Sequence, residues 1–223
     1  MRFLSPDSGF MRGLSTVSDV FLISFLWIMC SLPVVTIGPA SCAAYYALIK
    51  VVHKKKGYLS REFFKSFRLN LKQGLFLSVI VVVLLALLGY NIYTMYWAMD
   101  YEVKNNLSGY SFYLLFAYFV ILLLVIAFML YAFPAMSRFT FRNMQITRFA
   151  VFALFRHMLS TLAMLVVFVA SVILLIVFPM AILFVPAGNL YLQSVLVERI
   201  LRRYMSEEQL AQWDGTNEEI YTE

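Results

Sequence analysis

Long apolar runs alternate with short charged segments along the chain. Three runs, at 75–96, 111–133 and 161–178, are long enough to cross a bilayer, because about 30 Å of hydrocarbon requires about 20 helical residues at 1.5 Å each. A fourth run, at 17–35, begins beside Asp19 and ends near a proline. The pattern predicts an all-α fold, a polytopic membrane helical bundle.

Two shorter apolar runs, at 40–52 and 181–197, each accompany a pair of prolines. The pairs are Pro33 with Pro39 and Pro179 with Pro186. Proline removes a backbone donor and breaks a helix, so each pair predicts a tight turn at or inside the outer interface. At this length each run is either a short crossing or a re-entrant segment.

The charged segments predict the orientation, since Lys and Arg near span ends are held on the cytoplasmic side. Segment 50–72 carries eight bases and one acid, and segment 134–160 carries four arginines and no acid. The loop at 98–110 has only Lys104, beside two acids. Counting both short runs as crossings places every basic segment inside except Lys104. We therefore predict six transmembrane helices with both termini in the cytoplasm.

Both inner segments are amphipathic. Aromatic residues recur at helical spacing in each, which predicts two helices lying in the headgroup plane. The first stripe is Phe63, Phe64, Phe67 and Leu71, and the second is Phe149, Phe152, Phe155 and Met158. Together they form a candidate surface for a cytoplasmic partner or anionic lipid, comprising Phe64, Lys65, Phe67, Arg68, Asn70, Lys72, Gln73, Arg148 and Arg156.

The composition agrees with a membrane solvent. The chain of 223 residues is 62% hydrophobic and only 13% charged, with a mean hydropathy of +0.81. Its net charge of +6 lies between apolar spans, which argues against nucleic-acid binding. We predict one integral membrane domain, 1–204, and an acidic cytoplasmic tail, 205–223, in which Ser206 and Gln209 form a capping box for a short helix.

Few polar residues fall within the predicted spans. They are Asn91, Asn189, Gln193 and, near an inner end, Glu198. Span interiors hold no acid, histidine or arginine of the kind that couples transport to ions. Asn189 and Gln193 lie one turn apart and either bond a neighbouring helix, which we favour, or line a cleft. Glu198 is predicted to pair with Arg199 or Arg202.

No enzyme motif is present in the sequence. There is no Ser/His/Asp grouping, phosphate loop or pair of catalytic carboxylates. Cys30, Cys42, His53 and His157 lack companions at ligand spacing. We therefore expect no enzymatic activity, no metal and no cofactor, and we expect both cysteines to be small buried apolar residues.

The most distinctive segment is the helix break Leu32-Pro33-x-x-Thr36-x-Gly38-Pro39, followed by Tyr45 and Tyr46. Its free carbonyls must face protein or water. It is either an interhelical turn, which we favour, or a ligand-lining loop. Small residues would allow close helix approach; they are Gly38, Ala40, Ser41, Ala43 and Ala44.

Together with Phe64-x-x-Phe67-Arg68-x-Asn70-x-Lys72-Gln73, this motif resembles the YesL family of bacterial membrane proteins, whose function is unknown. The resemblance implies a Gram-positive cytoplasmic-membrane protein. It also implies frequent encoding beside carbohydrate ABC importers, and hence permease and ATPase subunits as partners. It brings no catalytic residues.

Three functions are consistent with these features. The first is an accessory or assembly component of an oligosaccharide ABC importer. The second is a stand-alone transporter or channel for a neutral solute, which predicts a polar cavity near Asn91 and Asn189. The third is a membrane sensor or scaffold that binds anionic lipid through its basic segments.

Overall fold

The computed structural model describes residues 9–53, 57–105, 107, 109–139 and 142–214. Within these ranges the chain is a bundle of eight α-helices. They are α1 (Gly9–Ser31), α2 (Ile37–Ala47), α3 (Leu59–Lys104), α4 (Ser111–Arg138), α5 (Asn143–Arg156), α6 (Met158–Val177), α7 (Val185–Tyr204) and α8 (Glu207–Asp214). A 3₁₀ turn precedes α2 (Val34–Thr36) and another precedes α7 (Pro179–Leu183), while a π turn (Leu48–His53) continues α2. The predicted all-α class is confirmed.

Four helical segments are long and apolar enough to cross a membrane. They are Val34–Val52, Leu59–Lys104, Ser111–Arg138 and Met158–Val177. The apolar part of α1, Ser15–Ser31, is shorter, and the last turns of α7 carry charged side chains. These segments support a membrane protein with several spanning helices. The count of six crossings and the placement of both termini stay predictions.

The first predicted interfacial helix is instead the beginning of α3. This helix continues for 46 residues, roughly 69 Å, which is more than twice the thickness of the hydrocarbon. The part from Leu59 to Gly74 therefore prolongs a membrane helix by roughly 24 Å and is not a separate helix in the headgroup plane. Gly74 lies within this continuous helix, where it packs against Pro39 of α2.

The second predicted interfacial helix, α5, is a separate element. The Arg142 backbone N–H donates to Gln145 Oε1 at 3.0 Å and closes its first turn. Its buried face is formed by Ile146, Ala150 and Ala153. Of the predicted stripe, Phe152, Phe155 and Met158 are exposed, whereas Phe149 is partly buried and packs against the core. Most of this apolar stripe therefore faces away from the bundle.

The helix α2 occupies the centre of the bundle and contacts α1, α3, α4 and α7. It runs antiparallel to α3: Gly38 N–H donates to Ser78 Oγ at 3.0 Å, and Lys50 pairs with Glu62 at 3.3 Å. Val34 lines a small cavity together with Ala86 of α3. The helix break therefore lies beside the first half of the apolar part of α3, roughly 15 Å short of the level of Tyr96.

The depth of the break can be measured by cysteine labelling in a chain carrying Cys30→Ser and Cys42→Ala. We expect an impermeant maleimide added outside to label Leu107→Cys, and to leave Val34→Cys unlabelled because it lies within the hydrocarbon. Arg61→Cys should react only after permeabilisation. Equal labelling of positions 34 and 107 would place the break at the outer surface, and labelling of position 61 from outside would reverse the orientation.

The predicted capping box of the tail is confirmed. Gln209 N–H donates to Ser206 Oγ at 3.3 Å, and Ser206 N–H donates to Gln209 Oε1 at 3.2 Å. These two bonds satisfy amide groups that a helix start leaves free. Residues 215–223 of the predicted tail lie outside the described ranges.

Candidate functional site

The helix break is held by its own polar groups and by close packing. Thr36 Oγ1 donates to the carbonyl oxygens of Cys30 and Pro33. A Cβ atom on Gly38 would overlap Ser78 Oγ and stand 2.6 Å from Phe133 Cε1. The motif residues thus bring α2, α3 and α4 into near contact, which is the packing expected of small residues between membrane helices. Of the other motif residues, Leu32 is exposed and Tyr45 is buried.

A buried ionic cluster joins three helices, α2, α4 and α7, near the last residues of α4. Glu198 Oε2 of α7 accepts from Arg138 Nη2 of α4, and from Tyr45 Oη of α2 at 3.1 Å. Glu198 Oε1 accepts from Arg202 Nε at 3.3 Å. The Arg138 side chain is fully buried and that of Glu198 is 16% exposed, so the pair lies mostly away from water.

The sequence anticipated only part of this cluster. The predicted pairing of Glu198 with Arg202 is confirmed. For Arg138 the sequence predicts only that its segment faces the cytoplasm, and it predicts no pairing with Glu198. Arg138 and Tyr45 lie 60 and 153 residues from Glu198, so no local spacing connects them. The one signal in the sequence for a buried partner of this acid is an arginine at the end of a long apolar run.

A second ion pair lies at the end of α2. Lys50 Nζ stands 3.3 Å from Glu62 Oε2 of α3 and 5.7 Å from the centre of the Tyr46 ring. Both charged side chains are mostly buried. The pair therefore holds the π turn that follows α2 against the beginning of α3. Because these two charges neutralise each other, neither is available to a ligand or partner of segment 50–72.

A basic cleft lies between the first half of α3 and the α4–α5 connection. Two adjoining cavities of about 400 and 920 Å³ share Gln73. No acidic side chain lines either cavity among the described residues. The polar and basic lining residues are Tyr46, Lys65, Ser66, Asn70, Lys72, Gln73, Ser137, Arg138, Arg142, Asn143, Gln145 and Arg148. This cleft has the charge and amide donors that suit an anionic group.

Most of the candidate inner-surface residues line this cleft, but not all of them do. Phe67 instead stacks on the buried Phe63, with 6.3 Å between ring centres. Phe64, Arg68 and Arg156 are exposed and do not line the cleft. Arg142 and the amides of α5 are cleft residues that the sequence analysis missed, because only the tertiary fold brings them opposite α3.

A second cavity, of about 550 Å³, lies inside the bundle and is lined mainly by apolar side chains. Its polar lining includes Ser41, Ser171, Asn189 and Gln193. Ser171 Oγ donates to Asn189 Oδ1 at 3.2 Å and links α6 to α7. The predicted helix-bonding role of Asn189 is confirmed, and the same side chain also lines a cavity. Asn91 is not part of this lining; its amide donates to Leu87 O within α3.

The described residues contain no group of three or more His, Cys, Asp or Glu side chains suited to a metal ion. Cys42 is buried and Cys30 is partly buried. His157 Nε2 stands 3.1 Å from Tyr204 Oη. Partial burial, together with the positive charges of Arg203 and Arg156, lowers the pKa of His157 from its ordinary value of 6.5.

We expect the NMR titration midpoint of His157 to fall below 6.5. Since the pKa is lower in the folded than in the unfolded chain, the unfolded chain binds the proton more readily, and stability should decrease as the pH falls from 6.5 to the pKa of the folded chain. His157→Gln should remove that part of the pH dependence and also identify the resonance. A midpoint above 6.5 would contradict the geometry around the ring.

These observations define an all-α membrane protein with a buried ionic cluster and a basic cleft at one end. Residues 20–92 match the family model described as "Protein of unknown function, DUF624". The matched segment includes the helix break, α2 and the first half of α3, and it supplies Tyr46, Lys65 and Lys72 to the cleft. No curated protein and no solved structure matches the chain. A family of unknown function brings no activity or ligand to transfer.

Proposed function

We propose that the chain is a non-catalytic accessory or assembly component of a carbohydrate ABC import system in a bacterial cytoplasmic membrane, as the resemblance to the YesL family implies. The observation that supports this role is the extension of α3 beyond its apolar part. An accessory subunit needs a rigid surface that its partner can contact, and the extension supplies one.

The extension is held firmly on one side. Phe63 is fully buried against the rest of the bundle, and Glu62 pairs with Lys50. On the other side Leu69 is 74% and Phe64 is 41% exposed. These two residues lie roughly 9 and 16 Å before the apolar run begins at residue 75.

Phe64 and Leu69 are exposed apolar side chains that lie among cations and at a distance from the hydrocarbon. Such a patch is better explained by contact with a protein partner than by contact with lipid. The neighbouring bases on this face are Arg61, Lys65, Arg68 and Lys72. A partner with an apolar patch rimmed by acids would be complementary to it. The coupling surfaces of permease and ATPase subunits are the partners that this proposal names.

The test is a pull-down of the tagged protein in mild detergent, followed by mass spectrometry. We expect stoichiometric permease and ATPase subunits, and we expect Leu69→Glu combined with Arg68→Glu to lose them. Leu107→Glu, an exposed residue at the other end of α3, is the matched control and should retain them. A wild-type protein that purifies alone would refute the proposal, and solute uptake by that protein in liposomes would favour a stand-alone transporter.

The basic cleft favours a second candidate function, the binding of anionic lipid by a scaffold. Phe76 and Met144 are exposed where the cleft meets the apolar part of α3, so a phosphate beside Lys72 and Arg148 could keep its chains against apolar side chains. We expect the protein in nanodiscs to retain phosphatidylglycerol over phosphatidylcholine. Lys72→Gln with Arg148→Gln should abolish the preference, and equal retention by the wild type would exclude this function.

A further inference from the structure

The cavity of about 550 Å³ lies where the two helix breaks meet. Ile37, at the start of α2, and Pro186, at the start of α7, both line it. The remaining wall comes from α1, α3, α4 and α6. Its volume is within the range of about 300 to 1,000 Å³ that small-molecule sites occupy.

The polar groups of this cavity retain hydrogen-bonding capacity. Asn189 Oδ1 accepts from Ser171 Oγ and, at 2.9 Å, from Gln193 Nε2. Gln193 is only 3% exposed. Among the described residues no hydrogen bond is made by the Asn189 amide nitrogen or by Gln193 Oε1. The Asn189 amide nitrogen, a donor group, and Gln193 Oε1, an acceptor, therefore retain hydrogen-bonding capacity one turn apart on α7.

Charge is the next constraint on the ligand. None of the described residues that line the cavity carries a charged side chain. A helix N-terminus can bind an anion through its free amides, but here Gly38 N–H donates to Ser78 Oγ and Ala187 N–H donates to Ser24 Oγ at 3.1 Å. An ion placed among these apolar walls would be unpaired and costly. The ligand class is therefore neutral.

We infer that this cavity is a binding site for a neutral, mainly apolar molecule that carries a hydroxyl group. The hydroxyl oxygen accepts from the Asn189 amide and its hydrogen is donated to Gln193 Oε1, while the apolar body lies against side chains such as Phe168 and Leu175. This inference goes beyond the accessory function and does not depend on it, since it concerns the interior of the chain by itself.

The test measures the fluorescence of Trp27, which lines the cavity. Trp97→Phe and Trp213→Phe make Trp27 the only tryptophan of the chain. The protein is placed in nanodiscs and titrated with bromine-labelled dodecanol, whose bromine quenches nearby tryptophan. We expect saturable quenching, half-complete at a concentration at least tenfold lower than for bromine-labelled dodecane, which lacks the hydroxyl. Quenching that rises equally and without saturation for both compounds would show partition into the bilayer alone and would overturn the site.

Two kinds of variant separate the site from general stability. Asn189→Leu with Gln193→Leu should abolish the advantage of the alcohol, whereas Asn91→Leu, an amide outside the cavity, should preserve it. Ile126→Trp, in a chain carrying Trp27→Phe, should fill the cavity while leaving both amides intact, so quenching of the new tryptophan should not saturate. Persistence of the advantage in the double variant, or saturable quenching in the filled one, would refute the inference.

Discussion

Replacing Gly38 with alanine should lower the free energy of unfolding by about 1 to 3 kcal/mol, and so lower the thermal midpoint. Replacing it with valine should prevent folding. The added Cβ would overlap Ser78 Oγ and press on the Phe133 ring. Moving Ser78 would also remove the hydrogen bond that satisfies the Gly38 amide. The measurement is the thermal midpoint of the detergent-purified protein, followed by size-exclusion chromatography.

Gly89 is the matched control for this change. It lies in α3, and a Cβ there would meet nothing within 4 Å. Gly89→Ala should leave the midpoint unchanged or raise it slightly, because alanine favours helix over glycine. An equal midpoint for Gly38→Ala and Gly89→Ala would mean that α2 does not approach α3 and α4 as closely as described.

The second large effect is expected from Glu198→Gln. The fully buried Arg138 would lose its charge partner, and removing one member of a buried pair destabilises a protein by about 3 to 5 kcal/mol. Unfolding monitored by circular dichroism in mild detergent would measure the loss. Arg138→Met combined with Glu198→Leu should recover part of it, because neither charge then remains buried alone.

Arg202→Gln is the comparison within the same cluster. Its side chain is 43% exposed, so its ion pair with Glu198 should contribute only about 0 to 1 kcal/mol. If Glu198→Gln and Arg202→Gln were equally mild, the Arg138 guanidinium would have to be reached by water, and the buried cluster described above would be wrong.

The candidate inner surface shows which features a local sequence pattern can predict and which it cannot. Lys72 and Arg148 were both identified from the sequence, but on two separate amphipathic segments. The fold places them in one cleft, which the extension of α3 lines on one side and the first turns of α5 line on the other. Apolar residues at helical spacing predict that one face of a helix is apolar. They do not predict whether that face contacts lipid or protein, because both are apolar surroundings.

Phe63 and Phe155 illustrate this ambiguity. Both belong to predicted interfacial stripes, yet Phe63 is fully buried in the bundle while Phe155 is 61% exposed. Their sequence contexts are alike, with aromatic residues at helical spacing among arginines and lysines. The difference comes from packing between helices: Phe63 belongs to the buried core that also includes Tyr45 and Leu48, whereas Phe155 lies outside it.

The sequence by itself determined the all-α class, the long spans, the concentration of basic residues and the capped helix of the tail. Each depends on local quantities, namely the length of an apolar run against bilayer thickness and the hydrogen bonds of neighbouring residues. Tertiary structure alone decided the continuity of α3, the buried pair of Arg138 and Glu198, the shared basic cleft and the cavity between the breaks. These depend on contacts between residues distant in the chain, which are set by how closely whole helices pack and not by the spacing within any one of them.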